Sequence, residues 1–278
     1  MSAEIPKAEN VIVRLAQTQG EIEAAQRLRY QVFYEEYAAK PDARMAATKL
    51  DVDEYDEFAD HLIVIDQSGG SDKIIGTYRL LRQALADKYG KFYSSAEFDL
   101  GPLLSADLSL LELGRSCVLP EYRTRPVLQL LWQGIADFIT EHQVDLMFGC
   151  ASLHSTDIKS ISQPLSYLHH YHLAPETLRP RAIKGRYINM NIVPKEELDR
   201  RKVFSNLPPL IKGYIRLGAT IGDGAVIDEQ FNTTDVLIIV QTENVTSRYR
   251  KHYERKIQKN FRGVDDIKNI PTYFKGSA

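Results

Sequence analysis

The sequence has few cysteines, little net charge and no long apolar run. Its 278 residues include two cysteines, Cys117 and Cys150, each inside an apolar segment. Such a small number excludes a disulfide framework and favours a reducing compartment. No segment approaches the roughly 20 consecutive apolar residues of a membrane-spanning helix. We therefore expect a cytosolic protein without a signal peptide. The formal net charge is −2, so the overall field attracts neither nucleic acid nor an acidic partner.

Three motifs of nucleotide binding and nucleophilic catalysis are also missing. The chain contains no G-x-G-x-x-G, no P-loop and no G-x-S-x-G. The two glycines of IGDGAVID (221–228) are not followed directly by a helix, so we interpret this segment as a turn. The sequence therefore predicts no bound cofactor.

Hydrophobic periodicity predicts alternating strands and helices. The predicted strands are 11–17, 61–66, 73–82, 108–120, 144–153, 187–194 and the end of 219–241, and the predicted helices are 20–37, 125–142, 207–219 and a segment near 155–171. Residues 38–58 are predicted to be a loop, and 84–107 to be irregular. This order favours an α/β (α+β) fold with a central mixed, twisted sheet and helices on both faces. We expect one domain over 1–278, in which 195–278 form a C-terminal elaboration.

The central strand carries two charges where apolar residues are expected. Within LELGRSCVLP, Glu112 and Arg115 lie three residues apart in an otherwise apolar segment. Charges buried in a sheet are costly unless they are paired or functional. Strict alternation places the two on opposite faces, so they share a site only if the strand bulges, and Gly114 is a candidate bulge position. The alternatives are a catalytic acid–base pair and a structural ion pair.

Acidic and histidine clusters are two further candidates. The run DVDEYDEFAD (51–60) lacks the spacing of a calcium loop, which leaves a cation-attracting site or a solvated acidic loop. His154, His169, His170 and His172 have no acidic or cysteine partner at ligand spacing, so we predict no metal site.

Residues 246–262 have the pattern of a basic amphipathic helix. An apolar stripe recurs every fourth residue from Tyr249 to Phe261, and the flanking cations include Arg250, Lys251 and Arg255. Such a helix suits an anionic membrane surface or an acidic protein, or it packs on its own domain with a solvated basic face. We therefore keep peripheral association with the inner membrane as an expectation.

Four segments in a fixed order resemble a known family. LRYQVFYEEY (28–37), DEYDEFADHLIV (53–64), IIGTYRLL (74–81) and ELGRSCVLPEYR (112–123) resemble the GNAT-like acyltransferases that make lyso-ornithine lipid. They are also similar to acyl-homoserine-lactone synthases, but LPPLIKGYIRLGA (207–219) with FNTTDVLIIV (231–240) is similar to the ornithine acyltransferases alone. The resemblance covers roughly residues 11–255.

The resemblance implies a GNAT fold, an acyl-carrier-protein thioester donor and L-ornithine as the acceptor. The donor chain would be a 3-hydroxyacyl group, and nucleic acid is not a partner. The functional positions of the lactone-synthase relatives match residues of the first helix, the acidic run, the hairpin and the central strand, which are Arg29, Phe33, Asp53, Asp56, Arg79, Glu112 and Arg115. One departure is YRTRPVLQLL (122–131), which lacks the glycines of the pyrophosphate turn of acetyl-CoA-dependent members. The departure favours a carrier-protein donor.

These expectations lead to a mechanistic hypothesis. Glu112, with Arg115 beside it, is the candidate general base, and backbone N–H groups near Cys117 and Val118 are candidates to polarise the thioester carbonyl. Asp53 and Asp56 either hold the acceptor's cationic end or clamp the arginines. Candidate linings of an acyl tunnel are Leu111, Leu113, Phe138, Leu146 and Phe148.

The sequence offers two candidate docking surfaces for the carrier protein and two classes of alternative function. Carrier proteins are acidic, so the candidate docking cations are Arg179, Arg181, Lys184 and Arg186, together with Arg250, Lys251 and Arg255. An alternative enzyme is a lactone synthase or an N-acyltransferase for another amino acid. An alternative of another class is a non-catalytic module that interacts with lipid or membrane.

Overall fold

The fold is built on one large mixed sheet. A computed structural model describes residues 10–243 and residue 245 of the chain. The strands of this sheet are β1 (Val11–Leu15), β2 (Asp60–Asp66), β3 (Lys73–Arg82), β5 (Leu110–Val118), β6 (Leu146–Leu153), β8 (Thr220–Ile221), β9 (Val226–Asp228) and β10 (Thr233–Gln241), and a separate small sheet pairs β4 (Phe98–Asp99) with β7 (Arg181–Ala182). The order across the large sheet is β1-β2-β3-β5-β6-β10-β8, with β9 also paired to β10.

Helices cover both faces of the sheet, as predicted. They are α1 (Gln19–Tyr30), α2 (Ala43–Thr48), α3 (Gln83–Tyr89), α4 (Gly101–Leu104), α5 (Arg125–Glu141), α6 (Ser162–His172), α7 (Arg200–Asn206) and α8 (Pro209–Arg216). Ala25 of α1 packs against Ile63, whereas Gly134 of α5 lies so close to Leu62 that an added Cβ would sit 3.0 Å from it. Successive residues of a strand point to opposite faces, so α1 and α5 lie on opposite sides.

The first helix continues into a wider turn. After Tyr30 the chain forms a π-helix over Gln31–Glu36 instead of extending α1 to residue 37. The predicted loop 38–58 also contains more structure than expected, because Asp42 caps α2 by accepting from the Met45 N–H at 2.7 Å. A one-turn 3-10 helix over Glu54–Glu57 follows. Both elements bring the acidic run close to the sheet.

The predicted strand over 187–194 is wrong. Its backbone donors find a side chain and not a neighbouring strand, because Ile192 N–H and Val193 N–H both donate to the Ser166 hydroxyl, at 3.0 and 2.9 Å. A single bridge at Ile188 is the β-type pairing described for this segment. Apart from this bridge, the segment is therefore irregular. The predicted helix near 155–171 is also shorter than expected, because α6 begins at Ser162.

Residues after 195 complete the central sheet. They supply α7, which the sequence pattern did not predict, α8, and the strands β8, β9 and β10. The pairing of β10 with β6 is antiparallel over eight residues, from Thr234 with Leu153 to Gln241 with Leu146. This part of the predicted C-terminal elaboration thus buries a strand beside β6. The predicted basic helix, with Arg250, Lys251 and Arg255, lies outside the described residues.

Candidate active site

The site is located where β5 and β6 separate. These parallel strands pair at three positions, from Leu110 with Leu146 to Glu112 with Phe148, although both strands continue well beyond them. Immediately after, an added Cβ on Gly149 would lie 2.1 Å from the Leu113 carbonyl oxygen. Only glycine allows this approach, and beyond it the two strands have no described pairing with each other. The result is a fork in the sheet, with Glu112 at its base.

A cavity of about 670 Å³ occupies this fork. Both separated strands, the π-helix, α5 and α8 contribute to its wall. Among the lining residues are Glu112, Arg115, Cys117, Val118, Cys150 and Asp235 on the strands, Phe33 on the π-helix, and Leu128, Leu131, Trp132, Leu210 and Tyr214 on the helices. The strands therefore contribute the acidic residues of the wall, and α5 and α8 contribute apolar and aromatic side chains next to Lys212 and Arg216.

The pairing of β5 with β3 contains the predicted bulge. Thr77 of β3 pairs with Cys117 and Arg79 with Gly114, so one residue of β3 faces two residues of β5. The left-handed residue is Arg115, with φ of 49°, and not Gly114. The extra residue brings Glu112 and Arg115 to the same cavity despite their odd spacing.

Glu112 and Arg115 do not form an ion pair with each other in the described structure. Glu112 is 3% exposed and accepts three hydrogen bonds: from Tyr93 N–H at 2.7 Å to Oε2, and from Ser94 N–H and Oγ at 2.7 and 2.5 Å to Oε1. Burial raises the pKa of Glu112 above its ordinary value, and the hydrogen bonds from Ser94 and Tyr93 oppose this shift. Oε2 retains capacity for a further donor.

Arg115 belongs instead to a closed ring of three aspartates and three arginines, which we call the Asp–Arg ring. Around the ring, each carboxylate contacts two guanidinium groups. The contacts are Asp51–Arg29 2.8 Å, Arg29–Asp56 2.5 Å, Asp56–Arg79 3.1 Å, Arg79–Asp53 2.5 Å, Asp53–Arg115 2.9 Å and Arg115–Asp51 3.1 Å. The ring joins α1, the acidic run, β3 and β5.

The ring is buried and its charges balance. Arg29 has no exposed surface, and Asp51 and Asp56 are almost fully buried. Burial opposes the charge of Asp56, yet Arg29 and Arg79 hold the pKa of this carboxyl well below its usual range. The guanidinium of Arg115 also lies 4.9 Å from the centre of the Tyr93 ring. Of the two uses expected for Asp53 and Asp56, the geometry matches the clamping of arginines.

The remaining predicted strand and helix residues line the cavity without ionic partners. Phe33 packs edge-on against Phe231 at 5.6 Å between ring centres. Burial raises the pKa of the Cys117 thiol well above its ordinary value, so this thiol stays neutral. Leu119 N–H donates to Ile75 on β3, and alternation along the strand therefore directs the Val118 N–H towards the fork.

The predicted docking cations of 179–186 differ in their exposure and in their contacts with the protein. Arg179 donates to the Ala174 carbonyl, and Arg186 donates to the Ile227 carbonyl and pairs with Glu97 at 3.2 Å, so both stabilise local structure. Arg181 and Lys184 are exposed. The patch is thus smaller than the sequence suggests.

The expected acyl-tunnel residues need correction. Of the five, Leu113 lines the cavity, whereas the other four, Leu111, Phe138, Leu146 and Phe148, belong to the buried core. Sequence reasoning also missed Ser94, Glu97 and Asp235. Asp235 is a charge inside an apolar strand, TTDVLIIVQ (233–241). A charge in an apolar strand is also the signal that identified Glu112.

Within residues 10–243, no helix combines the length and apolarity that a bilayer crossing requires.

Comparison with known proteins finds a family model and solved structures that resemble this chain. The family model described as acetyltransferase (GNAT) domain matches residues 28–133. An N-acyl amino acid synthase from uncultured soil microbes aligns with a TM-score of 0.47 and 12% identity, covering 85% of this chain and 93% of that one. A CoA-dependent acyl-homoserine lactone synthase aligns with a TM-score of 0.47 and 12% identity, covering 87% and 89%.

Curated relatives are much more similar in sequence. The L-ornithine N(alpha)-acyltransferase of Rhodobacter capsulatus is 44% identical over 249 residues, which cover 88% of this chain and 95% of that protein. The L-ornithine N(alpha)-acyltransferase of Brucella abortus is 46% identical over 246 residues, which cover 87% and 88%. The chain therefore has a GNAT-type fold and belongs to the L-ornithine N(alpha)-acyltransferase family.

Proposed function

We propose that the protein transfers a 3-hydroxyacyl chain from an acyl-carrier-protein thioester to the α-amino group of L-ornithine. The product is an N-acyl-ornithine, which is lyso-ornithine lipid. The observation that carries this proposal is the fork between β5 and β6, with the buried Glu112 carboxylate at its base and a cavity of about 670 Å³ beside it. The names of the curated relatives support ornithine as the acceptor.

Glu112 suits the removal of a proton from the incoming ammonium group. Its Oε1 is occupied by Ser94, and Oε2 accepts a single bond from Tyr93 N–H, which leaves Oε2 to receive the proton directly or through water. The raised pKa of Glu112 narrows the gap to the pKa of the amine. The neutral amine then forms the new carbon–nitrogen bond and the carbon–sulfur bond breaks. The nitrogen loses a second proton as it becomes an amide, and the leaving thiolate takes up that proton.

The backbone of the fork suits a pantetheine arm. Beyond Glu112 the cleft side of β5 is without a described strand partner, so its peptide groups are available to the amides of the donor. The Val118 N–H faces this cleft and is our candidate for polarising the thioester carbonyl. The helix α5 begins at Arg125–Pro126 without a side-chain cap, and proline has no N–H for a pyrophosphate. This N-terminus of α5 favours an acyl-carrier-protein thioester over an acyl-coenzyme A thioester as the donor.

The apolar side of the cavity suits the acyl chain. Leu128, Leu131 and Trp132 of α5 line the cavity together with Leu210 and Tyr214 of α8. Trp132 and Tyr214 meet edge-on at 5.2 Å between ring centres. We assign the acyl chain to this side because burial of methylene groups there is favourable, by about 0.8 kcal/mol each.

Lys212 and Arg216 of α8 are further candidates for docking the carrier protein. Both line the cavity, whereas Arg181 and Lys184 do not. The preceding α7 adds exposed Arg200, Arg201 and Lys202. A basic surface beside the cavity would attract an acidic carrier protein close to the entrance that its prosthetic arm needs.

An acceptor screen tests the proposal. Purified protein is incubated with 3-hydroxyacyl carrier protein and, in separate reactions, with L-ornithine, L-lysine, glycine and S-adenosylmethionine, and the products are weighed by mass spectrometry. We expect thiol release and N-acyl-ornithine with ornithine. An acyl-homoserine lactone from S-adenosylmethionine would contradict the proposal and support a lactone synthase. Absence of thiol release with every acceptor would support a non-catalytic module.

A further inference from the structure

A second group of buried acids lines the fork and takes no part in the mechanism above. Asp235 lies on β10 opposite Ser152, it is 7% exposed, and it lines the cavity. Glu97 precedes β4 in the chain, lies close to Asp235 and is also buried. One ligand atom each from Glu97, Cys150 and Asp235 lie within 4.8 Å of one another. We call Glu97 and Asp235 the acid pair.

The acid pair carries more negative charge than its surroundings neutralise. Arg186 pairs with Glu97 at 3.2 Å. Within residues 10–243, no cation lies at ion-pair distance from Asp235, whose described partners are the hydroxyl groups of Thr233 and Ser152. A buried carboxylate without a cation is costly. A cation that enters the cavity would offset this cost.

The incomplete neutralisation raises the pKa values of both carboxyl groups. Burial and the neighbouring Asp235 raise the pKa of Glu97 to about 7, and Arg186 opposes the shift. Burial raises the pKa of Asp235 to about 6, against the hydrogen bonds from Ser152 and Thr233. Both shifts have the direction expected for buried acids whose negative charge is not fully balanced by nearby cations.

The acid pair and Glu112 lie along one continuous wall. Ser94 Oγ donates to Glu112 Oε1, and Cys150 Sγ lies 3.4 Å from both Ser94 Oγ and Glu97 Oε2. Glu112, Ser94, Cys150 and Asp235 all line the cavity. An amino acid whose α-amine reaches Glu112 can therefore extend its side chain along this wall towards Asp235.

We propose that the carboxylate of Asp235, supported by Glu97, binds the side-chain ammonium group of a diamino-acid acceptor. The site would thereby select ornithine over neutral amino acids of the same carbon chain. The inference rests on the proposed acyl transfer to ornithine. A neutral acceptor leaves the buried charge unpaired, and such unpaired groups give strong discrimination.

A comparison of two acceptors tests the inference. L-norvaline has the carbon chain of ornithine without the side-chain amine. For the native protein we expect kcat/KM for ornithine to exceed that for norvaline by about 100-fold or more. For Asp235→Asn we expect this ratio to fall below about tenfold, chiefly through loss of ornithine turnover. Asp107→Asn is the matched control, because Asp107 is exposed, and it should keep the native ratio.

The outcomes separate the two proposals. If the native protein acylates neither amino acid, the proposed function fails. If it acylates both with equal kcat/KM, acyl transfer stands and the ammonium site is overturned, and this result requires no variant to fold. An unchanged ratio in Asp235→Asn also overturns it. Loss of the ratio on treatment with EDTA, restored by Zn²⁺, would show that the acid pair and Cys150 hold a metal ion, and would overturn the ammonium assignment.

Discussion

The Asp–Arg ring and the acid pair are two buried charged clusters near Glu112, and their charge balance differs. The ring has three carboxylates and three guanidinium groups, each carboxylate with two cationic neighbours. Within the part of the chain that the structure describes, the acid pair has two carboxylates and one nearby cation, Arg186. The ring holds the pKa of Asp56 well below its usual range, whereas the pKa of Asp235 is raised to about 6.

The difference indicates which cluster awaits a ligand. A ring with balanced charges gains nothing from a further ion, and it fixes α1, β3 and β5 relative to one another. An acid with no cationic partner stores an electrostatic cost that a cationic substrate relieves on binding. We therefore interpret the ring as the support of the fork and the acid pair as part of the substrate site.

Asp56→Asn should cause the largest change in stability. It leaves Arg29 and Arg79 buried with too little negative charge, and removal of one partner from a buried ion network costs about 3–5 kcal/mol. Urea unfolding at pH 7 measures this difference in the free energy of unfolding. The same substitution at Asp235 is the contrasting control and should not lower the free energy of unfolding. A loss below about 1 kcal/mol in Asp56→Asn would show that the ring is not a structural support.

Glu112→Gln should lower turnover by about 100-fold or more, because an amide cannot accept the proton of the attacking amine. Initial rates of thiol release measure the effect, with the exposed Glu121→Gln as control. The pH profile distinguishes a base from a positioning residue. The native rate should fall as the pH falls through the raised pKa of Glu112, and the variant should lose this dependence. Near-native turnover of a folded Glu112→Gln variant would remove Glu112 from the role of base.

Asp235→Asn should change stability in a pH-dependent manner. An acid whose pKa is raised on folding stabilises the folded state below its unfolded pKa of about 4, and this stabilisation is lost as the pH rises through about 6. The variant should therefore match the native protein near pH 4 and exceed its free energy of unfolding by about 2 kcal/mol at pH 8. Glu97, Asp228 and Arg186 share this environment. A difference that is constant across pH would contradict the assignment of an unpaired charge.

The smallest expected effect concerns the docking surface. Lys212→Glu should raise the apparent KM for acyl carrier protein by about tenfold at low salt, and the difference should shrink as salt increases. Lys184→Glu is the matched control from the 179–186 patch, and its KM should stay near the native value. The opposite ranking of the two variants would transfer docking to that patch.

Local patterns predicted the six longest strands of the large sheet, although they also predicted a strand over 187–194 that does not form. The charges at 112 and 115 indicated the site. The bulge followed from the odd spacing of Glu112 and Arg115, although its left-handed residue is Arg115. The ring was not predictable in its closed form, because its contacts join residues as far apart as Asp51 and Arg115. Tyr93 and Ser94, which donate to Glu112, lie in the segment 84–107, whose hydrophobic residues show no clear periodicity.

Asp235 shows a different limit of the sequence analysis. Its charge lies within an apolar strand and carried the same signal as Glu112. Asp235 lines the cavity because β10 lies beside β6, and this position follows from the topology of the sheet. A strand pattern alone does not reveal which neighbour a strand will have.

The most direct test measures thermal unfolding of the native protein and of Asp235→Asn at pH 8, each with and without saturating ornithine, and with norvaline as the control ligand. We predict that Asp235→Asn unfolds at a higher temperature than the native protein when no ligand is present. Ornithine should raise the midpoint of the native protein by about 2–4 °C for each kcal/mol of binding, and should leave the variant and the norvaline samples unchanged. An equal ornithine shift in both proteins, or a lower midpoint for the unliganded variant, would contradict the account.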